Sequence, residues 1–225
     1  MRVLRGRAAT NEADREHTDE MVARAVETGE SALRVWTPHK QVAFGRRDTH
    51  EDGYQGARAA AREHGYPSVE REVGGRAVAY TGSTLAVVYA EPDAERTAIE
   101  ARYDAATERY LRAFDQLGVD AREGEPDHSF CPGTHSIRAD GKLAGLAQRV
   151  RREVAVTAAI VVVRDDEAIA EVLAPVYDAL GVPFDPETVG SVAAAGGPDS
   201  PDAVADALVD AYGGSDATVE RVRET

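Results

Sequence analysis

One run of ten largely apolar, β-branched residues, 154–163, most narrows what this chain can fold into. Such an unbroken run predicts a buried strand, which other elements of the fold must cover. It is too short to cross a bilayer as a helix. Strand-like clusters and helical segments alternate around it, which indicates one domain of the α/β or α+β class.

Helical and strand-like segments succeed one another along the rest of the chain. Acidic or alanine-rich stretches that end near glycine predict helices, and short alternating apolar runs predict strands. The predicted helices cover residues 11–30, 52–64, 94–117, 167–180 and 201–212. The predicted strands cover residues 32–37, 41–45, 67–72, 76–80, 84–90, 136–138, 142–148 and 154–163. Because Gly82 lies between two of these strands, we expect residues 76–80 and 84–90 to form a hairpin.

The balance of charge narrows the classes of partner. The chain carries 40 acidic and 26 basic residues, a net charge of −14, which disfavours nucleic acid because phosphate binding needs a cationic surface. Arginine outnumbers lysine by 24 to two, and the acidic excess concentrates in residues 165–225. We predict a salt-rich cytoplasm, where carboxylates keep a surface hydrated, and an acidic helical outer cover in 165–225. No apolar signal region begins the chain, so we expect a cytoplasmic protein that does not contact membranes.

A glycine pair and a lysine are the first candidates for chemistry. Gly74 and Gly75 lie between two strand-like runs, and paired glycines permit positive φ angles and a close backbone approach. An ordinary tight turn or bulge explains the pair equally well. Lys142 follows a Gly141 turn in a chain that otherwise uses arginine. A lysine here favours a position where a compact ammonium group fits better than the planar guanidinium of arginine. An ordinary surface lysine is the simpler alternative.

Cys131, the single cysteine, lies in a loop-forming segment of polar residues. One cysteine excludes a disulfide framework. A loop thiol beside a base or a cation can act as a nucleophile, whereas a lone cysteine is more often a small buried hydrophobe. His128 and His135 are candidate bases or bystanders. A zinc site built from Cys131 and these two histidines lacks a fourth ligand nearby.

Several segments resemble the biotin/lipoate protein ligase family. Residues 69–82 (VEREVGGRAVAYTG) resemble its glycine-pair turn, and residues 141–149 (GKLAGLAQR) resemble its G-K-x-x-G-x-x-Q segment. Residues 32–48 (ALRVWTPHKQVAFGRRD) resemble its first hairpin. Residues 129–156 (SFCPGTHSIRADGKLAGLAQRVRREVAV) are similar to the cysteine segment of one branch, the octanoyl-[glycine-cleavage H protein]:protein N-octanoyltransferases.

The resemblance implies a fold and a mechanism. The fold is a single catalytic domain over 1–225, a mixed β-sheet flanked by helices, with no separate accessory domain. Cys131 would attack an acyl group and hold it as a thioester, and Lys142 would donate to the acyl carbonyl. The octanoyl or lipoyl group would then pass to a lysine of a lipoyl domain, such as the glycine-cleavage H protein or the acyltransferase subunit of a 2-oxoacid dehydrogenase. This route implies no cofactor.

Further positions follow from the same resemblance. The implied acyl- or substrate-binding residues are Arg71, Gly74, Gly75, Arg76, Ala77, Val78, Gly145, Ala147 and Gln148. A medium-chain acyl group needs an apolar slot, which we expect to be lined by Val78, Leu85, Val87, Leu143 and Leu146. Five arginines could face an acidic acceptor domain or could be ordinary solvated residues: Arg46, Arg47, Arg149, Arg151 and Arg152.

Two other functions remain open from the sequence. A lipoate–protein ligase that uses ATP and Mg to form a lipoyl adenylate would need the lysine and the glycine pair but not Cys131. Such a ligase could depend on a separate accessory subunit. A non-catalytic protein that binds lipoyl domains could contain the same residues without using them. The joint presence of Cys131 and Lys142 argues against this alternative.

Overall fold

The structure, a computed structural model, describes residues 1–71, 74–92, 98–150, 153–213 and 217–222. The helices are α1 (Asn11–Thr28), α2 (Tyr54–Glu63), α3 (Ile99–Gln116), α4 (Asp166–Leu180) and α5 (Pro201–Gly213). The strands are β1 (Arg2–Arg5), β2 (Ala32–Trp36), β3 (Gln41–Phe44), β4 (Ser68–Glu70), β5 (Val78–Tyr80), β6 (Leu85–Pro92), β7 (Arg122–Glu123), β8 (Ser136–Arg138), β9 (Lys142–Val150), β10 (Val154–Val161) and β11 (Thr218–Arg221). Most of the elements predicted from the sequence are therefore confirmed.

The strands form one large and one small sheet. The large sheet has eight strands in the order β11-β1-β2-β6-β10-β9-β8-β7. In it, β1 runs parallel to β2 and β11, and the remaining neighbours are antiparallel. The small sheet has the order β4-β3-β5, with β3 parallel to β4 and antiparallel to β5. The mixed α/β fold implied by the resemblance is thus confirmed.

Local signals in the sequence fix where α1 begins and ends. The Thr10 hydroxyl caps its first turn by accepting a hydrogen bond from the Ala13 N–H at 3.1 Å, and Gly29 ends it at φ 67°. These are the residue types that helix ends require, because a cap satisfies a free N–H and glycine adopts the left-handed conformation at low cost. Met21 and Val22 then pack α1 onto one face of the large sheet.

The two faces of the large sheet are covered differently. On one face, which we call the helix face, Leu85 and Val87 of β6 pack with Tyr110 and Phe114 of α3 and with residues of α5 in one large apolar core. On the opposite face, which we call the site face, α1 packs near Val154. The small sheet, α2 and α4 form a separate core that also contacts this second face.

Two predicted hairpins are wrong. β5 pairs with β3 in the small sheet, whereas β6 pairs with β2 and β10 in the large sheet. β2 and β3 are likewise in different sheets. The turn at Gly82 has φ 94°, and the adjacent Ser83 hydroxyl donates to the Asp165 carboxylate at 2.6 Å. This turn therefore carries the chain from one sheet to the other instead of folding it back.

The ends of the chain also differ from the prediction. β1 and β11 were not predicted, and β11 adds an exposed edge strand to the segment 165–225 that was expected to be helical. Both strands are four residues long, which gives a period-2 pattern too few positions to be distinguished from a loop. Among the described residues, no helix combines the length and the apolar character needed to span a bilayer.

Candidate functional site

The glycine pair and the cysteine lie in contact. A Cβ built on Gly75 would lie 2.9 Å from the Cys131 Sγ and 3.6 Å from an Arg71 guanidinium nitrogen. Gly75 has φ 93°, so both its backbone angle and the space beside it require glycine. Cys131 is half-buried. Cys131 is therefore only partly covered as a residue, and its thiol packs against the backbone of Gly75.

A polar cluster beneath the glycine pair holds this backbone in place. A Cβ on Gly45 would lie 2.1 Å from the Gly75 carbonyl oxygen, so the two segments touch backbone to backbone. Asp48 accepts a hydrogen bond from the Gly45 N–H at 2.9 Å and pairs with Arg76. Burial raises the pKa of Asp48, and the hydrogen bonds from Gly45 and Arg76 oppose that rise. Arg76 also binds Glu51, at 2.6 Å.

The loop that carries Cys131 is strained. His128 and Cys131 have φ angles of 59° and 42°. For residues other than glycine, this backbone conformation costs about 1–3 kcal/mol each and persists where surrounding contacts enforce it. The Tyr177 hydroxyl accepts the Cys131 N–H at 2.6 Å and donates to the Ala77 carbonyl at 2.9 Å. One hydroxyl thus links the cysteine loop to the segment that follows the glycine pair.

Lys142 lies under the same loop and is almost inaccessible, with 1% of its side chain exposed. Its Nζ donates to the carbonyls of Phe130 and Cys131 at 3.0 and 3.1 Å and to the Glu125 carboxylate at 2.9 Å. Glu125 in turn accepts the Ser129 hydroxyl. With a longer contact to the Ser129 hydroxyl at 3.5 Å, the ammonium group has four acceptor groups, all within residues 125–131.

A β-bulge directs Lys142 toward the cysteine loop. In the pairing of β8 with β9, Ile137 opposes Ala144 and Arg138 opposes Lys142, which leaves Leu143 as the extra residue. Leu143 and Ala144 both pack in the core of the helix face. The Lys142 Cε lies instead 3.3 Å from a Cβ built on Gly145. The bulge thus places the lysine on the site face.

A floor of small residues lies on the site face. Strand pairing aligns Ile160 with Ala86 and Gly145, and Ala158 with Val88 and Ala147. Paired residues share a face, and Ile160 packs against the same core as Cys131 and Ala77. We call Ala86, Gly145, Ala147 and Ala158 the small-residue floor, which Val88 and Ile160 border.

The expected lining of the acyl slot is therefore mostly wrong. Leu85, Val87, Leu143 and Leu146 belong to the core of the helix face, where they are buried against α3 and α5. The strand alternation puts these four residues on the helix face, whereas the small-residue floor is on the site face. Val78, the fifth predicted lining residue, is in the core of the small sheet and α4.

The other predicted positions divide between the two faces. Ala77 and Val78 are buried beside the glycine pair, and Arg71 binds the Arg76 carbonyl at 2.7 Å. The Gln148 side chain instead contacts α3: it accepts from Arg102 at 3.0 Å and donates to the Ile99 carbonyl at 2.7 Å.

Neither candidate base is seen in contact with the thiol. His128 is exposed, and the His135 ring stacks on Tyr103 at a centroid distance of 3.5 Å. Within the described ranges, no three His, Cys, Asp or Glu side chains gather closely enough to hold a metal ion. Arg46, Arg47 and Arg149 are exposed, and Arg151 and Arg152 lie outside the described residues.

Two residues of the site were not predicted from the sequence. Glu125 lies in a polar stretch, and Tyr177 lies in an apolar helix, so neither is distinguished by its neighbours. Asp48 is a further supporting residue that the sequence did not single out. Its position immediately after Gly-Arg-Arg was included in the resembling segment 32–48, but no role followed from the pattern.

A half-buried cysteine, a glycine pair in contact with its thiol and a buried lysine beneath its loop lie together at this site. The model of the lipoyl protein ligase A/B catalytic domain matches residues 13–213. The chain belongs to this family.

Individual relatives agree with this assignment. The octanoyl-[GcvH]:protein N-octanoyltransferase of Geobacillus kaustophilus is 32% identical over 165 residues, 71% of this chain and 58% of that protein. The lipoyl-[GcvH]:protein N-lipoyltransferase of Listeria monocytogenes is 29% identical over 169 residues, 73% of this chain and 61% of that protein. The chain thus matches less than two thirds of the length of these curated relatives.

A solved structure shares the fold. It belongs to the archaeal lipoylation system of Thermoplasma acidophilum, described as a bi-partite lipoate protein ligase and its E2 lipoyl domain. The TM-score is 0.72 at 19% identity, over 99% of this chain and 87% of the other.

Proposed function

We propose that this chain moves an octanoyl or lipoyl group, through a thioester on Cys131, to a lysine of a lipoyl domain. The observation that carries the proposal is the contact of the Cys131 thiol with the glycine pair, 2.9 Å from a Cβ built on Gly75. Space of that kind beside a partly exposed thiol suits an incoming acyl carbonyl. The names of the relatives, which are octanoyl and lipoyl transferases, support the same acyl groups.

The proposed reaction has two balanced acyl transfers. The Cys131 thiolate attacks the carbonyl of an acyl-lysine amide, the C–N bond breaks, and the departing lysine amine takes up a proton. The amine of the acceptor lysine then attacks the thioester, the C–S bond breaks, and the thiolate is restored. Dividing one amide exchange into two steps avoids a direct attack of amine on amide. No nucleotide enters either step.

Stabilisation of the developing oxyanion would depend on Lys142 and on the backbone of the glycine pair. The residue after a nucleophile often supplies an N–H donor, but Pro132 has none, and the Cys131 N–H is bound to Tyr177. Lys142 would reach the acyl carbonyl by exchanging one of its present acceptors. Glu125 is the acceptor in contact with solvent, with 21% of its side chain exposed.

The small-residue floor would bind the acyl chain. Ala86, Ala147 and Ala158 are smaller than the valines and leucines at alternate positions of the same strands, and a medium-length acyl chain needs an apolar surface. Ala147 is exposed, and Ala158 is half-buried. Arg46, Arg47 and Arg149 are available on the surface to meet an acidic lipoyl domain.

The test is intact-protein mass spectrometry after incubation with an octanoylated lipoyl domain and no ATP. We expect a hydroxylamine-labile octanoyl adduct on the wild type and none on Cys131→Ala. Because the chain has one cysteine, a hydroxylamine-labile adduct has a single thioester site. An octanoyl adduct that resists hydroxylamine would be an amide and would contradict the proposed route.

The second candidate is an ATP-dependent lipoate–protein ligase. The glycine pair and Lys142 suit both activities, and the solved structure that shares the fold is a ligase. If octanoate or lipoate, ATP and Mg were needed for transfer, and if Cys131→Ala retained it, the ligase would replace the transferase. Binding of a lipoyl domain without either activity would indicate a non-catalytic protein.

A further inference from the structure

Every backbone polar group next to the Cys131 Cα has a partner. The carbonyls of Phe130 and Cys131 both accept from Lys142, at 3.0 and 3.1 Å. The Cys131 N–H donates to the Tyr177 hydroxyl at 2.6 Å. The next residue is Pro132, which has no N–H to satisfy. The strained backbone of the cysteine is thus held from both sides, by a lysine below the loop and by a tyrosine from α4.

The two holding groups are not equivalent. Lys142 fixes the loop to β9 and to Glu125, and its ammonium also has the proposed role at the acyl carbonyl. The Tyr177 hydroxyl connects Cys131 to the Ala77 carbonyl, at 2.9 Å, two residues after Gly75. Tyr177 therefore sets the separation between the thiol and the glycine pair, which is the separation that the proposed attack depends on.

The surroundings of Tyr177 make this link rigid. Its side chain is fully buried, and its ring packs on Phe184 at a centroid distance of 4.9 Å. Burial raises the pKa of Tyr177 well above its usual value, so the hydroxyl keeps its proton. One proton is enough for the bond to Ala77, and a lone pair of the oxygen remains for the Cys131 N–H.

We propose that Tyr177 is a positioning residue that holds Cys131 at the glycine pair in its reactive backbone conformation. This inference rests on the proposed function, because it assigns Tyr177 a role in a reaction at Cys131. It acts through the backbone and requires no contact between Tyr177 and the acyl group. Its loss should therefore affect the rate of the chemical step more than the affinity for the acyl donor.

The experiment compares Tyr177→Phe with Tyr110→Phe, since both remove the hydroxyl of a fully buried tyrosine. Tyr110 belongs to the core of the helix face, so Tyr110→Phe controls for a general loss of stability. For single-turnover acylation by an octanoylated lipoyl domain, we expect Tyr177→Phe to lower the maximal rate about 10- to 100-fold. The donor concentration at half-maximal rate should change less than about twofold in both variants, and Tyr110→Phe should keep the wild-type rate.

A second measurement does not depend on acyl transfer. The rate of Cys131 alkylation by iodoacetamide should rise severalfold in Tyr177→Phe, because the loop is released, and should stay at the wild-type value in Tyr110→Phe. Equal behaviour of the two variants in acylation or in alkylation would overturn the inference. A Cys131→Ala protein that still transfers octanoyl without ATP would instead overturn the proposed function. The alkylation rates would still show whether Tyr177 restrains Cys131.

Discussion

The helix face and the site face of the large sheet differ in how completely they are covered. On the helix face, Leu85, Val87 and Leu146 pack with α3 and α5 at almost complete burial. On the site face, Ala158 and Ile160 are half-buried and Ala147 is exposed. One strand alternation therefore encodes a continuous core on one side and, on the other, the surface that we propose for the acyl chain. We expect mutations at adjacent positions to perturb stability and function separately.

The largest effect should come from Lys142→Met, which removes the ammonium beneath the cysteine loop on the site face. Glu125 loses its ion-pair partner and two backbone carbonyls lose their donor. Loss of one partner of a buried ion pair costs about 3–5 kcal/mol, and the partial exposure of Glu125 places this case near the lower figure. We also expect acyl transfer to fall about 10²- to 10³-fold, as for an oxyanion donor. Urea unfolding and single-turnover acylation measure the two effects.

The control for this change is the double variant Lys142→Met, Glu125→Gln. It removes the unpaired charge as well, so part of the lost unfolding free energy should return while the acylation rate stays low. Recovery of acylation together with stability would mean that Lys142 acts only as a support for the loop.

Leu85→Ala should be the largest change confined to the helix face. Leu85 is 2% exposed in the main core, and truncation of such a leucine removes about 2–5 kcal/mol from the free energy of unfolding. Because the substitution is remote from the thiol, we expect acyl transfer per folded molecule within about twofold of wild type. Urea titration followed by an assay at a temperature well below the transition checks both; a selective loss of activity would contradict the separation of the faces.

Ala158→Leu should have a smaller effect, confined to the site face. The added carbons would occupy the small-residue floor, so octanoyl transfer should slow by about tenfold while transfer of a butanoyl group changes little. The matched control is Ala159→Leu, whose side chain packs against the opposite core. That control should lower the free energy of unfolding by about 1–3 kcal/mol without altering the preference between octanoyl and butanoyl groups. Equal chain-length preference in the two variants would exclude the floor as the acyl site.

Alkaline pH should give the smallest effect. Burial raises the pKa of Tyr212 to about 12 and raises that of Tyr110 well above 10.0, both in the core of the helix face. A raised pKa means that their stabilising contribution is complete below the unfolded value of 10.0 and is lost as pH rises above it. Each should cost about 1 kcal/mol of unfolding free energy between pH 10 and 11. Urea unfolding of Tyr110→Phe should show a shallower decline; an unchanged slope would contradict the assignment.

The comparison also explains what the sequence could predict. Glycine, proline and β-branched residues marked most element boundaries, because these types restrict the backbone directly. The resemblance implies that Cys131 and Gly75 belong to one site, and the structure places them in contact. The predicted lining of the slot is mostly wrong because large apolar size does not by itself indicate ligand contact: Leu85 and Leu146 face α3. Periodicity gives two alternating sets of residues but does not say which set faces the helices.

Two further failures have the same kind of cause. The sheet to which β5 belongs is decided by pairing with β3, a long-range contact that no local turn signal at Gly82 reveals. The roles of Tyr177 and Glu125 depend on loops and helices that come together only in the folded chain. Neither residue is part of a spacing pattern, so nothing in the sequence separated Tyr177 from the apolar residues around it.

The bulge at Leu143 lets two successive residues, Leu143 and Ala144, face the helices without moving Lys142 from the site face. In a regular pairing of the same sequence, Leu143 would face the site and the ammonium of Lys142 would enter an apolar core, where it would have no acceptor. Removal of Leu143 would restore regular alternation and leave Lys142 opposite Arg138, on the site face. A single extra residue thus adds a leucine to the core of one face and leaves the position of the lysine on the other face unchanged.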